Sequence, residues 1–166
     1  MTDSKHIFSE NMSREIDLIR SKFPKDKSKS AIIESLLIIQ HDNNGFLNDE
    51  LITSLANYLS IQKIDVYEVA TFYSMFNLKP VGKNIISVCT NVSCMLRNSD
   101  GIVNHIEKRL KIKIGESTKD NKFYLKDEME CLAACNGAPM MQVNHINYEN
   151  LTFEKVDKIL DEIADD

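Results

Sequence analysis

Four cysteines are the residues of this chain whose type and spacing could do chemistry. They form two pairs, Cys89-x4-Cys94 and Cys131-x3-Cys135, with 36 residues between the pairs and no cysteine in the first 88 positions. Thiolates bind zinc or iron, form disulfides and act as nucleophiles. Pairs so far apart in the sequence belong to different loops, so a four-ligand site requires a fold that brings the two loops together.

The spacing favours an iron–sulfur site over the alternatives. A [2Fe–2S] cluster takes four thiolates. Structural zinc sites also use closely spaced cysteine pairs, but histidine often replaces some of the cysteines, so zinc is the main alternative and the less favoured one. A third hypothesis is an autonomous thiol oxidoreductase, although the usual Cys-x-x-Cys pair is absent. A catalytic cysteine could use His105 or His145, but nothing in the sequence places either histidine beside a thiol.

Small and apolar residues flank the cysteines and are predicted to form a dry shell around the site. They are Val88, Val92, Met95, Leu132, Ala133, Ala134 and Ala138. Gly137 is predicted to allow a close approach of the backbone. Glu128 and Glu130 are predicted to be solvent-facing charges beside the second pair.

Composition excludes several classes of function. The 166 residues carry a net charge of −5, with 43% apolar and 27% charged residues, as in soluble globular proteins. No apolar run approaches a membrane span, and the only basic run, Lys25–Lys29, is too short for a nucleic-acid face. The first residues resemble neither a secretory signal nor a transit peptide, so the chain is predicted to be either cytoplasmic or already mature. In a reducing compartment, cysteines are more often metal ligands than disulfides.

The chain divides into two predicted domains, residues 1–80 and 81–166, at the turn-forming stretch Lys79–Lys83. The first half carries four apolar stripes with helical spacing, which predict a small helical bundle. Ser30, Asn48 and Asp65 are predicted to cap the second, third and fourth helices. Gly45 is predicted to stop the second helix with a positive φ.

The second half changes its pattern to short β-branched or aromatic runs between helical stripes. The predicted order is strand, helix, strand, strand, helix, with strands over 85–88, 122–125 and 140–143. Thr152 is predicted to cap the final helix. Of Met140 and Met141, which alternate on the third strand, only one is expected to face the core. The predicted fold class is therefore α+β, a helical domain followed by an α/β domain of about 85 residues.

At the cysteines the sequence closely resembles a known family, the 24-kDa-type [2Fe–2S] subunits (E subunits) of respiratory complex I, the NADH:quinone oxidoreductase. The matching stretches are DVYEVATFYSMFNLKPVGKNIISVCTNVSCMLR, ECLAACNGAPMMQVN and YENLT. Similar modules occur in NAD-linked hydrogenases and formate dehydrogenases, so membership of one of those assemblies is an alternative. The resemblance covers about residues 10–163.

The resemblance implies a thioredoxin-like [2Fe–2S] ferredoxin domain in the second half, with Cys89, Cys94, Cys131 and Cys135 as the ligands of one cluster. It implies single-electron exchange with the FMN of a partner flavoprotein subunit that also binds NADH, among other peripheral-arm subunits. The chain lacks a Gly-rich dinucleotide motif and a P-loop, which agrees with nucleotide binding by the partner. The chain alone is expected to oxidise no NADH.

The same resemblance implies a location at the inner face of the cell membrane, peripheral to it and without insertion. It also suggests a cis peptide bond before Pro139, because a cis proline is common at this place in thioredoxin-like folds. A cluster with four thiolates is expected to have a low potential, near about −400 mV. A zinc-stabilised interaction module without a redox role is the competing hypothesis.

Overall fold

The computed structural model describes residues 8–127 and 131–165, which cluster into two compact units that meet between Pro80 and Val81. The boundary predicted from the sequence falls at the same peptide bond. That each unit is a domain able to fold alone stays a prediction. No helix in the described part of the chain is both long enough and apolar enough to cross a membrane.

The first unit is helical. Its elements are α1 (Glu10–Ser21), a 3-10 turn (Ser28–Ala31), α2 (Ile32–Asp42), α3 (Asp49–Leu59) and α4 (Lys63–Phe72). Apolar residues from all four helices form one buried cluster. The largest fully buried side chains in it are Ile16, Leu36, Ile39, Leu47, Ile52, Leu55 and Leu59. The apolar stripes predicted for the first three helices are therefore the faces that these helices bury. Of the fourth predicted stripe, Val66 and Ala70 are buried on α4, whereas Tyr73 lies beyond the helix and is exposed.

Helix caps in this unit agree with the sequence at one position and differ at two. The side chain of Asn48 accepts a hydrogen bond from the Leu51 N–H at 2.8 Å, as predicted. Ser30 caps nothing, because it lies inside the 3-10 turn that precedes α2. Asp65 is not the cap of α4, because that helix begins two residues earlier; its carboxylate instead pairs with Lys29 at 2.7 Å.

Gly45 takes the predicted left-handed conformation, with φ of +84°. Its N–H donates to the carbonyl of Gln40 at 2.8 Å, which closes the C-terminal end of α2.

The second unit is a four-stranded sheet with helices. Its elements are β1 (Asn84–Val88), α5 (Val92–Met95), α6 (Ser99–Leu110), β2 (Phe123–Leu125), β3 (Met141–Val143), β4 (Ile146–Tyr148) and α7 (Phe153–Asp165). The strand order is β2-β1-β3-β4; β1 pairs in parallel with β2 and antiparallel with β3, and β3 pairs antiparallel with β4. This mixture of helices and sheet confirms the predicted α+β class.

Strand β4 is absent from the sequence-based prediction. It pairs with β3 through the two-residue turn Asn144-His145, in which both residues have positive φ, +48° and +70°. Such a turn usually contains glycine, and the histidine in its place hides the hairpin from sequence reasoning. Asn144 also fixes β1, because its side-chain oxygen accepts from the Ile85 N–H at 2.9 Å.

Two buried clusters occupy the second unit. The larger one joins the sheet to α6 and α7 and contains Ile86, Ile106, Leu125, Met141, Val156 and Leu160. The smaller contains Cys89, Cys94, Ala138 and Met140. The prediction that only one of Met140 and Met141 is buried is wrong: both are fully buried, because each contributes to a different cluster. The cap predicted at Thr152 is present, since its hydroxyl accepts from the Lys155 N–H at 3.2 Å.

Candidate metal centre

The cysteines lie where β1 ends and where the chain returns towards β3. Cys89 directly follows β1, and its N–H donates to the Met140 carbonyl at 3.1 Å, which extends the contact between β1 and β3 by one residue. Cys94 lies in the short helix α5, whose start is capped by the side chain of Asn91. Cys89 is thus anchored to the sheet, and Cys94 lies in a capped helix, before any metal is considered.

The second pair lies in the connection between β2 and β3. Ala133 stands between the two cysteines with a φ of +58°, a left-handed conformation that costs energy for a residue with a Cβ. Cys135 then opens the 3-10 turn Cys135–Gly137. The reversal at Ala133 turns the two thiols towards each other, and their sulfur atoms are 3.7 Å apart.

The structure brings all four sequence-predicted ligands together. The sulfur of Cys89 accepts hydrogen bonds from the thiols of Cys94 and Cys131. Cys94 in turn lies close enough to Cys89 and Cys135 for their charges to act on it. The two sequence pairs therefore form one four-sulfur cluster, although 36 residues separate them in the chain.

Burial divides this four-sulfur cluster into two kinds of thiol. Cys89 and Cys94 are 3% and 1% exposed, whereas Cys131 and Cys135 are exposed. One side of the site therefore faces the protein interior and the other faces outwards.

Backbone N–H groups point at the sulfur atoms. Cys89 accepts from Leu132 and Asn91, Cys94 from Met140, and Cys131 from Ala133. Hydrogen bonds to a thiolate stabilise its negative charge and set the properties of a bound metal. Free backbone donors were predicted from the sequence, because both pairs lie at strand ends or in loops, where N–H groups are not committed to a ladder. Which residues donate could not be predicted, because backbone groups carry no sequence signal.

The pKa values of the thiols are shifted in opposite directions. Burial raises the pKa of Cys89, but the hydrogen bonds that its sulfur accepts outweigh burial, so the pKa is lowered overall. Burial and the hydrogen bond given to Cys89 raise the pKa of Cys94 to about 11. The N–H of Ala133 lowers the pKa of Cys131, but its contacts with Cys135 prevail and raise it overall. These shifts favour the thiolate form of Cys89 and disfavour those of Cys94 and Cys131.

The distance between the two exposed sulfurs fits a pair of thiolates on one tetrahedral metal ion. A metal–thiolate bond is about 2.3 Å long, so two thiolates on one tetrahedral ion lie about 3.8 Å apart, close to the 3.7 Å between Cys131 and Cys135. A tetrahedral zinc ion takes four ligands around one centre, and a two-iron cluster takes a pair of thiolates on each iron, so this distance agrees with both kinds of site.

The apolar shell predicted around the cysteines is only partly correct. Ala138, Leu132 and Ala134 do pack against the buried thiols, together with Met140, which the prediction omitted. Val88 is buried in the larger cluster instead. Val92 and Met95 project to solvent with Leu96, because α5 buries only Cys94. Glu128 and Glu130 lie outside the described residues.

Gly137 makes the close approach that the sequence predicted. A Cβ atom at this position would overlap the side chain of Glu149, and the Gly137 carbonyl accepts from the Asn150 N–H at 2.6 Å. The peptide bond between Ala138 and Pro139 is cis, as hypothesised. Glu149 is a neighbour of the cysteine loop that sequence reasoning did not identify.

Most of the chain matches one known protein family. Residues 16–164 match the family described as "Thioredoxin-like [2Fe-2S] ferredoxin". The chain is 47% identical over 156 residues to the E subunits of NADH-quinone oxidoreductase from Rickettsia bellii and Rickettsia felis, covering 94% of this chain and 92% of each relative. It is also 40% identical to the mitochondrial NADH dehydrogenase [ubiquinone] flavoprotein 2 of Dictyostelium discoideum, of which it covers 63%.

Solved structures support the fold. A chain from the crystal structure of an NAD+-reducing [NiFe]-hydrogenase in the air-oxidised state matches 78% of this chain with a TM-score of 0.65 and 19% identity. The H2-reduced state of an NAD+-reducing [NiFe]-hydrogenase gives a TM-score of 0.66. The match spans 22% of each hydrogenase chain. At this identity the likeness concerns the fold alone.

Proposed function

The chain belongs to the thioredoxin-like [2Fe–2S] ferredoxin family and, within it, to the E subunits of NADH-quinone oxidoreductase, and from this premise we propose that it carries single electrons through one [2Fe–2S] cluster. Cys89, Cys94, Cys131 and Cys135 are the proposed ligands. Bound there, the cluster supplies one-electron redox chemistry that no side chain of the protein provides. The chain contributes as a subunit of an oxidoreductase, and hydride chemistry belongs to a partner.

The convergence of four thiols from two distant segments carries this proposal. Their pairing, 3.7 Å between the sulfurs of Cys131 and Cys135, suits one iron of a two-iron cluster. Cys89 and Cys94, in hydrogen-bond contact, would then hold the other iron. Backbone N–H groups from Asn91 and Ala133 hold negative charge on the sulfurs and orient them.

The partner proposed for electron exchange is a flavoprotein subunit that binds FMN and NADH. Apolar side chains on α5, beside the buried Cys94, support a docking partner: Leu96 is 77% exposed, and Val92 and Met95 are also more than half exposed. An exposed apolar surface of this kind is typical of interaction sites. On the first unit, Phe72 at the end of α4 is 80% exposed, which supports further contacts with partner subunits.

The proposed location is the peripheral arm of the respiratory enzyme, at the inner face of the cell membrane. Attachment would come from other subunits, because none of the described helices has the length and hydropathy for membrane insertion. A fractionation experiment tests this proposal: the chain should stay with membranes at low salt and be released by high salt or alkaline washing. Recovery only in detergent would contradict it.

The first test of function is a count of iron, zinc and acid-labile sulfide in the anaerobically purified chain, with EPR spectra before and after reduction by dithionite. We expect about two irons and two sulfides per chain and an S = 1/2 signal only after reduction. One zinc with no sulfide and no signal would overturn the proposal. That outcome would favour a zinc-stabilised interaction module.

The second test addresses the docking partner. Met95→Glu with Leu96→Glu should weaken association with the flavoprotein subunit by about tenfold or more in a pull-down, because exposed apolar anchors dominate interface energies. Ile146→Glu, at an exposed apolar position on β4, is the matched control and should bind normally. Unchanged binding of the α5 variant, with its cluster spectrum intact, would place the interface elsewhere.

A further inference from the structure

The two thiol pairs of the site differ in their access to solvent and in the way the backbone presents them. Cys131 and Cys135 are exposed and 3.7 Å apart, whereas Cys89 and Cys94 are almost fully buried. All four cysteines are free thiols. An oxidant in solution can therefore reach only one pair.

The backbone already brings the exposed pair close to disulfide geometry. The left-handed φ of Ala133 reverses the chain between the two cysteines. Closing a disulfide requires the sulfurs to approach from 3.7 Å to about 2.05 Å. This movement of less than about 2 Å involves side chains at the surface, where rotation meets little packing resistance.

We propose that, in the cluster-free chain, Cys131 and Cys135 form a reversible disulfide with a low-molecular-weight disulfide such as oxidised glutathione as the oxidant. One cysteine thiolate attacks a sulfur of the oxidant and releases one glutathione thiolate, leaving a mixed disulfide. The second cysteine attacks that disulfide and releases the other glutathione. One S–S bond forms in the protein and one breaks in the oxidant, two electrons pass to glutathione, and the two thiol protons end on the glutathione thiolates.

The buried pair stays reduced under the same conditions. Rates of thiol–disulfide exchange depend on the access of the attacking thiol to the disulfide. Cys94 lies on the inner side of α5, and Cys89 is enclosed next to the β1–β3 contact. Glutathione disulfide is too large to reach either sulfur without opening the fold.

The disulfide would act as a reversible lock on the metal site. A disulfide offers no thiolate to a metal, so a chain oxidised at Cys131 and Cys135 cannot accept a cluster until it is reduced. The closed loop holds only five residues, and a loop this short gains little stability from the bond. Exposed disulfides are also among the easily reduced ones. This consequence for cluster loading rests on the proposed function, but the disulfide itself does not.

The experiment uses the full-length chain, freed of metal by chelation under reducing conditions and then placed in a glutathione redox buffer. Circular dichroism compares its fold with that of the loaded chain. Free thiols are alkylated, the chain is digested and its disulfides are identified by mass spectrometry. The Cys131–Cys135 bond should exceed the Cys89–Cys94 bond on the order of tenfold in the folded chain, because access limits exchange. In urea both bonds should form to similar extents, because the two spacings differ by one residue.

Two cysteine variants sharpen the result. Cys94→Ser should retain the Cys131–Cys135 disulfide, whereas Cys131→Ser should leave the remaining thiols free to alkylation after unfolding. Equal oxidation of both pairs in the metal-free chain without urea would overturn the proposal, and so would a reduced exposed pair in a buffer that oxidises the unfolded chain. A chain that binds zinc instead of iron can be tested in the same way, so this proposal and the proposed function can fail separately.

Discussion

The two units of the chain bury their apolar residues in different ways. In the first unit, residues from four helices form a single cluster that contains no cysteine. In the second unit, the sheet and two helices enclose one cluster, and a smaller one surrounds Cys89 and Cys94. The first unit is thus held by apolar packing, whereas the second combines packing with the cluster of four thiols that we propose to bind a metal.

This contrast separates stability from function along the chain. A packed apolar cluster contributes roughly in proportion to the area it buries, so the first unit should respond to the size of its side chains. The thiol cluster buries groups whose charged form is disfavoured there, as the raised pKa of Cys94 shows. A bound metal compensates the charge of buried thiolates, so metal binding should stabilise the second unit in particular.

The largest effect is expected from Cys94→Ala, which removes one of the two buried proposed ligands. The variant should lose the visible absorbance and EPR signal of the cluster entirely, and its second unit should unfold at lower denaturant concentration. Tyrosine fluorescence and far-ultraviolet circular dichroism are followed in a urea titration, where independent unfolding of the two units would give two transitions. Met95→Ala, the exposed neighbour in α5, is the control and should keep the cluster. A stable two-iron cluster in Cys94→Ala would refute the ligand assignment.

Leu55→Ala tests the opposite side of the contrast. Leu55 is fully buried in the first unit, so truncation should lower the free energy of unfolding by about 2–5 kcal/mol. The cluster spectrum under native conditions should not change. Leu18→Ala, the same chemical change at an exposed position of α1, should cost little. If Leu55→Ala reduces iron content in the folded protein, the two units are not separable in this way.

Gly137→Ala is expected to have an intermediate effect, next to the metal site. The added Cβ would overlap the side chain of Glu149, and forced packing of this kind costs about 1–3 kcal/mol. The double variant with Glu149→Gly removes the obstructing atoms and should recover part of the loss. A double-mutant cycle of unfolding free energies measures this coupling. Additive losses would show that Glu149 is not the obstacle.

Asn48→Ala should produce the smallest effect, about 1 kcal/mol of lost stability, because it removes the N-cap of α3. Chemical denaturation monitored by circular dichroism measures the loss. Asn57→Ala, an exposed position inside the same helix, should be neutral or slightly stabilising, since alanine has the higher helix propensity. Equal losses at both positions would argue against the cap.

The sequence predicted well those features that local chemistry determines. The Asn48 cap, the left-handed Gly45 and the apolar stripes of α1 to α3 were confirmed because their causes lie within a few residues. Asp65 was assigned wrongly as a cap, because its carboxylate instead pairs with Lys29, a residue 36 positions away. Only the tertiary structure could supply that partner.

The metal site shows the same division. Residue types and spacing predicted the four cysteines as ligands, but their convergence, the exposure difference and the particular N–H donors required the fold. Met140 was placed on a strand from its neighbours, yet its burial beside Cys94 depends on the second, smaller cluster that no periodicity signals. Ala133 gave no warning of its left-handed conformation, because alanine rarely adopts it.

The wide gap between the two cysteine pairs also has a mechanical consequence. A cluster held by both pairs would close the 45 residues between Cys89 and Cys135, including α5, α6 and β2, into rings. If the chain were pulled from its two ends, about 150 Å of contour length would stay out of reach of the force until a metal–sulfur bond ruptured. The metal site would then act as a cross-link, and the strength of its metal–sulfur bonds would set the force at which this part of the chain extends.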